Sequence, residues 1–129
     1  MTRLAMTALV VPDYDEAISF FTQALDFTLD EDSDMGGGKR WVVVAGHGGG
    51  KLLLARAAND MQHAAVGNQT GGRVGWFVHT DDFAAAHARL TKHGVTFSDG
   101  PRREPYGTVG VFSDPWGNRW DLIEPSKAA

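Results

Sequence analysis

The sequence predicts an α+β protein of two β-α-β-β-β modules, each a half-barrel of mostly antiparallel sheet. Three observations predict it. Apolar stretches of strand length accompany one amphipathic helix in each half, in the same order. The halves keep a constant offset of 68 positions, seen from Asp13 to Asp81, Phe27 to Val95 and Gly49 to Gly117. A polar, Gly/Asn/Gln-rich stretch joins them. The reading is one domain over 1–129, with module one at about 1–58, a linker at about 59–72 and module two at about 73–129.

Leu4 to Val11 reads as a buried strand that runs into a helix capped by Asp13, with Glu16 at the capping-box position. Ala17, Ile18, Phe21 and Leu25 form that helix's apolar stripe. Phe27 to Leu29, Arg40 to Ala45 and Lys51 to Ala55 then read as strands, broken by Gly36-Gly37-Gly38 and by the Gly46 to Gly50 turn. In the second half Val74 to His79 is a strand. Asp81 or Asp82 caps a helix carrying Phe83, Ala86 and Leu90, and Gly94 ends it. Val95 to Phe97, Thr108 to Ser113 and Arg119 to Glu124 complete the module. Asp114-Pro115-Trp116-Gly117 has the residues of a type I turn between the last two strands.

The bulk properties narrow the classes of function. An apolar fraction of 43% and a charged fraction of 22% suit a folded domain. The net charge of −4, with no basic patch, argues against a nucleic-acid partner. No apolar run reaches membrane-spanning length, so no membrane partner is expected. Met1 to Pro12 leads into a helix start without a small-residue cleavage site, and reads as strand rather than leader. Cysteine is absent, which removes disulfides and thiolate chemistry and fits a cytoplasmic location.

Asp121 stands among apolar neighbours on the last strand and shares a face with Arg119 and Ile123. It is either an acid that binds a ligand or acts as a base, or the partner of Arg119 in an ion pair. His79 is either a ligand or base at a cavity mouth, or a residue that bonds the turn before the helix. Trp76 lies two residues beyond Val74, so alternation puts it on the Asp121 side, as a cavity wall or as core. Trp120 alternates into the core, and Trp116 in its turn is a contact candidate. Tyr106, between Pro105 and Gly107, either offers its hydroxyl to a ligand or anchors the loop. His47, His63, His87 and His93 form no metal-binding spacing with each other or with His79. The Gly-rich turns lack the following helix and Lys-Ser/Thr pair of a phosphate cradle.

Three segments together resemble the vicinal oxygen chelate superfamily, which includes glyoxalase I, bleomycin resistance proteins and extradiol dioxygenases. They are Val10-Val-Pro-Asp-Tyr-Asp-Glu-Ala-Ile-Ser-Phe-Phe-Thr-Gln-Ala-Leu25, His79-Thr-Asp-Asp-Phe83 and Asp114-Pro-Trp-Gly-Asn-Arg-Trp-Asp-Leu-Ile-Glu124. The resemblance implies two modules around a central cavity, often in a homodimer. It also implies metal-ligand positions on the first and last strand of each module. Here those positions read Met6, Leu53, Val74 and Asp121. A single carboxylate falls short of the three protein ligands a divalent ion ordinarily takes. The expectation is therefore a homodimeric protein without metal or other cofactor. It binds a small organic molecule through Met6, Ala8, Leu53, Trp76, Tyr106, Arg119 and Asp121. The alternative is a metal-dependent lyase, isomerase or dioxygenase with His79 and Asp121 as non-standard catalytic groups, or metal-free chemistry with Asp121 as base.

Overall fold

The computed structural model describes residues 1–127, and its chain divides into two compact units, Met1–Val66 and Gly67–Ala129. In the first, β1 (Thr7–Val11) leads into α1 (Tyr14–Ser19), which continues as a π-helical turn over Phe20–Ala24. Then come β2 (Thr28–Gly36), β3 (Lys39–Ala45), β4 (Lys51–Arg56) and α2 (Asp60–Ala65). In the second, β5 (Val74–His79) and α3 (Phe83–Lys92) precede β6 (Phe97–Glu104), β7 (Gly107–Ser113) and β8 (Arg119–Pro125). The sheets have the orders β1-β4-β3-β2 and β5-β8-β7-β6. In each, the first and last strands run parallel and the other pairs are antiparallel. The chain is thus α+β, with two β-α-β-β-β modules. No helix among the described residues is long and apolar enough to cross a membrane.

Alternation sorts each sheet into a helix-covered face and an open one. In the first unit Leu9, Val11, Val42, Val44, Leu52 and Leu54 are buried with Tyr14, Ala17, Phe20, Phe21 and Ala24 of the helical segment. In the second, one row of four aromatic residues crosses the whole sheet: Trp76, Trp120, Phe112 and Phe97. Their ring centroids are 5.3, 6.0 and 5.5 Å apart in that order. His87 of α3 stacks on Phe97 at 4.2 Å. Such pairs add about 0.5–1.5 kcal/mol each beyond their buried area.

The offset between modules is 68 at the ends but not throughout. Asp13 caps α1 by accepting from Glu16 N at 2.8 Å. Its counterpart is Asp82, which accepts from Ala85 N at 3.0 Å, and not Asp81. The surplus residue enters at Gly75. There the β5–β8 register steps from Val74↔Arg119 to Trp76↔Trp120, leaving Gly75 unmatched as a bulge. The first module recovers the residue in its π-helical turn, where Leu25 N bonds Phe20 O, and the offset is again 68 from Asp26 to Gly94.

Three further stretches differ from expectation. β2 and β6 run well past the short strands read at Phe27 to Leu29 and Val95 to Phe97. Both are outermost strands, mostly solvated and rich in acids or bulges, so apolar alternation does not mark them. The expected linker holds α2. Asn59 accepts from Gln62 N at 2.9 Å, and Gln62 Oε1 accepts from Ala58 N at 2.7 Å.

Candidate functional site

The open face of the second sheet gathers most of the candidate residues. Strand register arranges them in rows. One row reads Val74, Arg119, Ser113 along β5, β8 and β7. The next reads Phe77, Asp121, Val111, Asp99, reaching β6. The third reads His79, Ile123, Val109, Arg102. Neighbours along a row have Cβ atoms about 5 Å apart, and diagonal ones about 7–8 Å.

Asp121 is half-buried at the centre of this face. Burial between Phe77 and Val111 pushes its pKa above the ordinary carboxylate value, against the opposing pull of Arg102 and Arg119. Arg119 is exposed and donates from Nη1 to Gly72 O at 3.4 Å. Arg102 is clamped between two carboxylates. Its Nε donates to Glu104 at 2.9 Å and its Nη1 pairs with Asp99. Those carboxylates and the nearby Tyr106 side chain raise the Arg102 pKa. Tyr106 sits in the β6–β7 turn, 53% exposed, and its carbonyl accepts from Ser126 N at 2.8 Å.

Arg119, Val74, His79 and Asp121 therefore share one face, with Tyr106 at the adjoining hairpin end; simple alternation from Val74 would have sent His79 to the other side. Trp76 does not join them. The bulge at Gly75 reverses the parity of every later residue of β5, so Trp76 turns to the helix-covered face and stacks on Trp120. Phe77 takes the place expected for Trp76 and is 61% exposed. Trp116 in the turn is half-buried. In the first unit Ala8 and Leu53 are row neighbours on that sheet's open face, beside Val43. Met6 precedes β1 and is half-buried. Sequence reading misses Phe77, Asp99, Arg102 and Glu104. A glycine inside a strand pattern is the signal that would have prompted a shift of parity at Phe77.

These residues do not fit a divalent metal in the family's manner. Of the four positions, Met6 offers a thioether, Leu53 and Val74 only hydrocarbon, and Asp121 the one carboxylate. Among the described residues no three His, Asp or Glu side chains gather as a metal-binding group.

The β7–β8 turn leads into the strand that carries Asp121. Gly117 N bonds Asp114 O at 3.1 Å, closing the expected turn, and Asp114 N bonds Asn118 O at 2.9 Å. Asp114 is 4% exposed, and burial raises its pKa against the hydrogen bonds it accepts. Gly67 passes so close that a Cβ there would lie 1.7 Å from Trp116 O, with φ at +73°, so only glycine fits.

The model of the Glyoxalase/Bleomycin resistance protein/Dioxygenase superfamily matches residues 3–122. An uncharacterized protein of Shewanella frigidimarina (strain NCIMB 400) is 50% identical over 120 residues, covering 91% of this chain and 89% of that one. Among solved structures, UcmS2 superposes with a TM-score of 0.80 at 27% identity, covering 96% of this chain and 98% of its own. TnmS3, an antibiotic binding protein from Streptomyces sp. CB03234, gives a TM-score of 0.70 at 32% identity over 98% and 99% of the two chains.

Proposed function

The chain belongs to the glyoxalase/bleomycin resistance protein/dioxygenase superfamily, and we propose that it binds a small organic molecule, with Asp121 as the polar anchor. The observation that carries this reading is the setting of Asp121. It is a half-buried carboxylate with Phe77 and Val111 beside it in its row, at the one family ligand position that holds a charged side chain. A ligand N–H or cation placed there gains a charge-assisted hydrogen bond. The antibiotic binding protein TnmS3, 32% identical over 98% of this chain, supports the reading. The enzymatic alternative has in its favour that His79 and Asp121 share a face. It needs a third donor that the family positions Met6, Leu53 and Val74 do not supply.

The test is calorimetric titration with 9-aminoacridine, a cation, against naphthoate, an anion. The cation is expected to bind and the anion not. Asp121→Asn is expected to weaken the cation about 10- to 100-fold. The pH dependence has a definite sign. The cation prefers ionised Asp121, so affinity falls as pH drops through the Asp121 pKa. Because burial raises that pKa, the loss begins above the range of a free carboxylate, about 4. The Asn variant shows no such limb. Equal affinity for wild type and variant across this range would remove Asp121 from the site.

A further inference from the structure

We infer that Phe77 is the residue that makes this face selective for flat ring systems, and that the Gly75 bulge is what puts it there. The inference rests on the Asp121 reading and deepens it.

The first support is parity. With an uninterrupted strand, as in β1, pairing runs Thr7↔Leu52, Ala8↔Leu53, Leu9↔Leu54. The same register in the second module would pair Trp76 with Asp121 and send Phe77 toward the helix. The bulge reverses both side chains. Trp76 completes the aromatic row, 5.3 Å from Trp120, and Phe77 becomes the row neighbour of Asp121.

The second support is that residue 75 has to be small. A Cβ on Gly75 would lie 2.5 Å from Thr70 Cγ2. Thr70 is itself held, its hydroxyl donating to Arg73 O at 2.5 Å. The Thr70 methyl thus occupies the space that a side chain at position 75 would enter.

The third support is chemical. Phe77 is 61% exposed, and it stands next to a carboxylate that burial makes harder to ionise. A lone exposed Phe needs no explanation, but one beside a half-desolvated acid makes a two-point site. A ring face can lie on Phe77 while a donor at the ring's edge reaches Asp121, about 5 Å away across the strands. At the matching place in the first sheet the row neighbours are Ala8 and Leu53, neither an aromatic nor an acid.

The experiment compares 9-aminoacridine with (cyclohexylmethyl)ammonium, which has the same charge and no aromatic ring. Dissociation constants are measured by calorimetry on the full chain. Phe77→Leu is expected to weaken the aminoacridine about tenfold and the saturated ammonium less than about twofold, while Phe77→Trp retains the preference. Gly75→Ala serves as the positioning variant. It is expected to lose the exciton couplet of the Trp76–Trp120 pair in circular dichroism together with the ring preference. If Gly75→Ala fails to fold, the two Phe77 variants still decide the matter. Loss with Asp121→Asn but not with Phe77→Leu overturns the inference and leaves the Asp121 reading standing. Loss with Phe77→Leu but not with Asp121→Asn keeps Phe77 as the ring contact and overturns the Asp121 reading, and with it the two-point site. Equal weakening of both probes by Phe77→Leu, or no binding of either by wild type, also overturns the inference.

Discussion

Replacing Asp114 with Ala lowers folding stability by about 3–5 kcal/mol, the range for a broken buried hydrogen-bond network. Five donors converge on this carboxylate: the backbone N–H groups of Trp116, Gly117 and Asn118, the Asn118 amide and the Trp120 indole, at 2.8 to 3.1 Å. Ala removes every side-chain acceptor at once and leaves the buried Asn118 and Trp120 donors unsatisfied. Asp114→Asn costs less, about 2–3 kcal/mol, because one oxygen remains while an NH₂ faces donors. Urea denaturation reads both variants as a shift of midpoint at constant slope. A change below about 1 kcal/mol for the Ala variant would mean that the turn holds itself without the carboxylate.

Trp120→Ala is the second large effect, again about 3–5 kcal/mol. Trp120 is 1% exposed, stands between Trp76 and Phe112 in the aromatic row, and donates from Nε1 to Asp114 Oδ2 at 3.1 Å. Trp120→Phe keeps the ring stack and loses the hydrogen bond, so it costs about 1–2 kcal/mol. Because Trp120 and Asp114 share that bond, the double variant Asp114→Ala with Trp120→Phe falls short of additivity by about 0.5–3 kcal/mol. Additive losses would show that the indole bond contributes nothing.

The module order was legible because buried strands and capped helices write period and punctuation directly into the sequence. Asp13 with Glu16, the Val42 to Ala45 run and the Asp114-Pro115-Trp116-Gly117 turn each carry a local signal that the fold obeys. α2 carried one too, in Asn59 and Gln62, but a polar, Gly-rich context hid it. β2 and β6 had no such signal. They are ordered by pairing with β3 and β7, which is a tertiary effect.

At the site, Asp121 was legible as a polar residue on an apolar strand. Its companions were not, because a single unmatched residue is invisible to a count made from constant spacing. One extra residue at Gly75 moved Trp76 to the helix-covered face, against Trp120, and Phe77 to Asp121. The Asp99–Arg102–Glu104 clamp lies on a bulged outer strand, where sequence separation says little about which side chains meet. Asp114 was read only as a turn former. Its role as a hub depends on five groups converging in space.

The two compensating offsets decide how pieces of this chain can be exchanged. A chimera that trades strand and helix together, 6–26 for 74–94, conserves length and keeps both reading frames of the pleat. A graft of either strand alone or either helix alone leaves one residue over. In a structure whose side chains alternate every second position, that remainder turns a binding surface into a buried one. The heritable cassette is thus the strand–helix pair, and recombination inside it changes which face a ligand would meet.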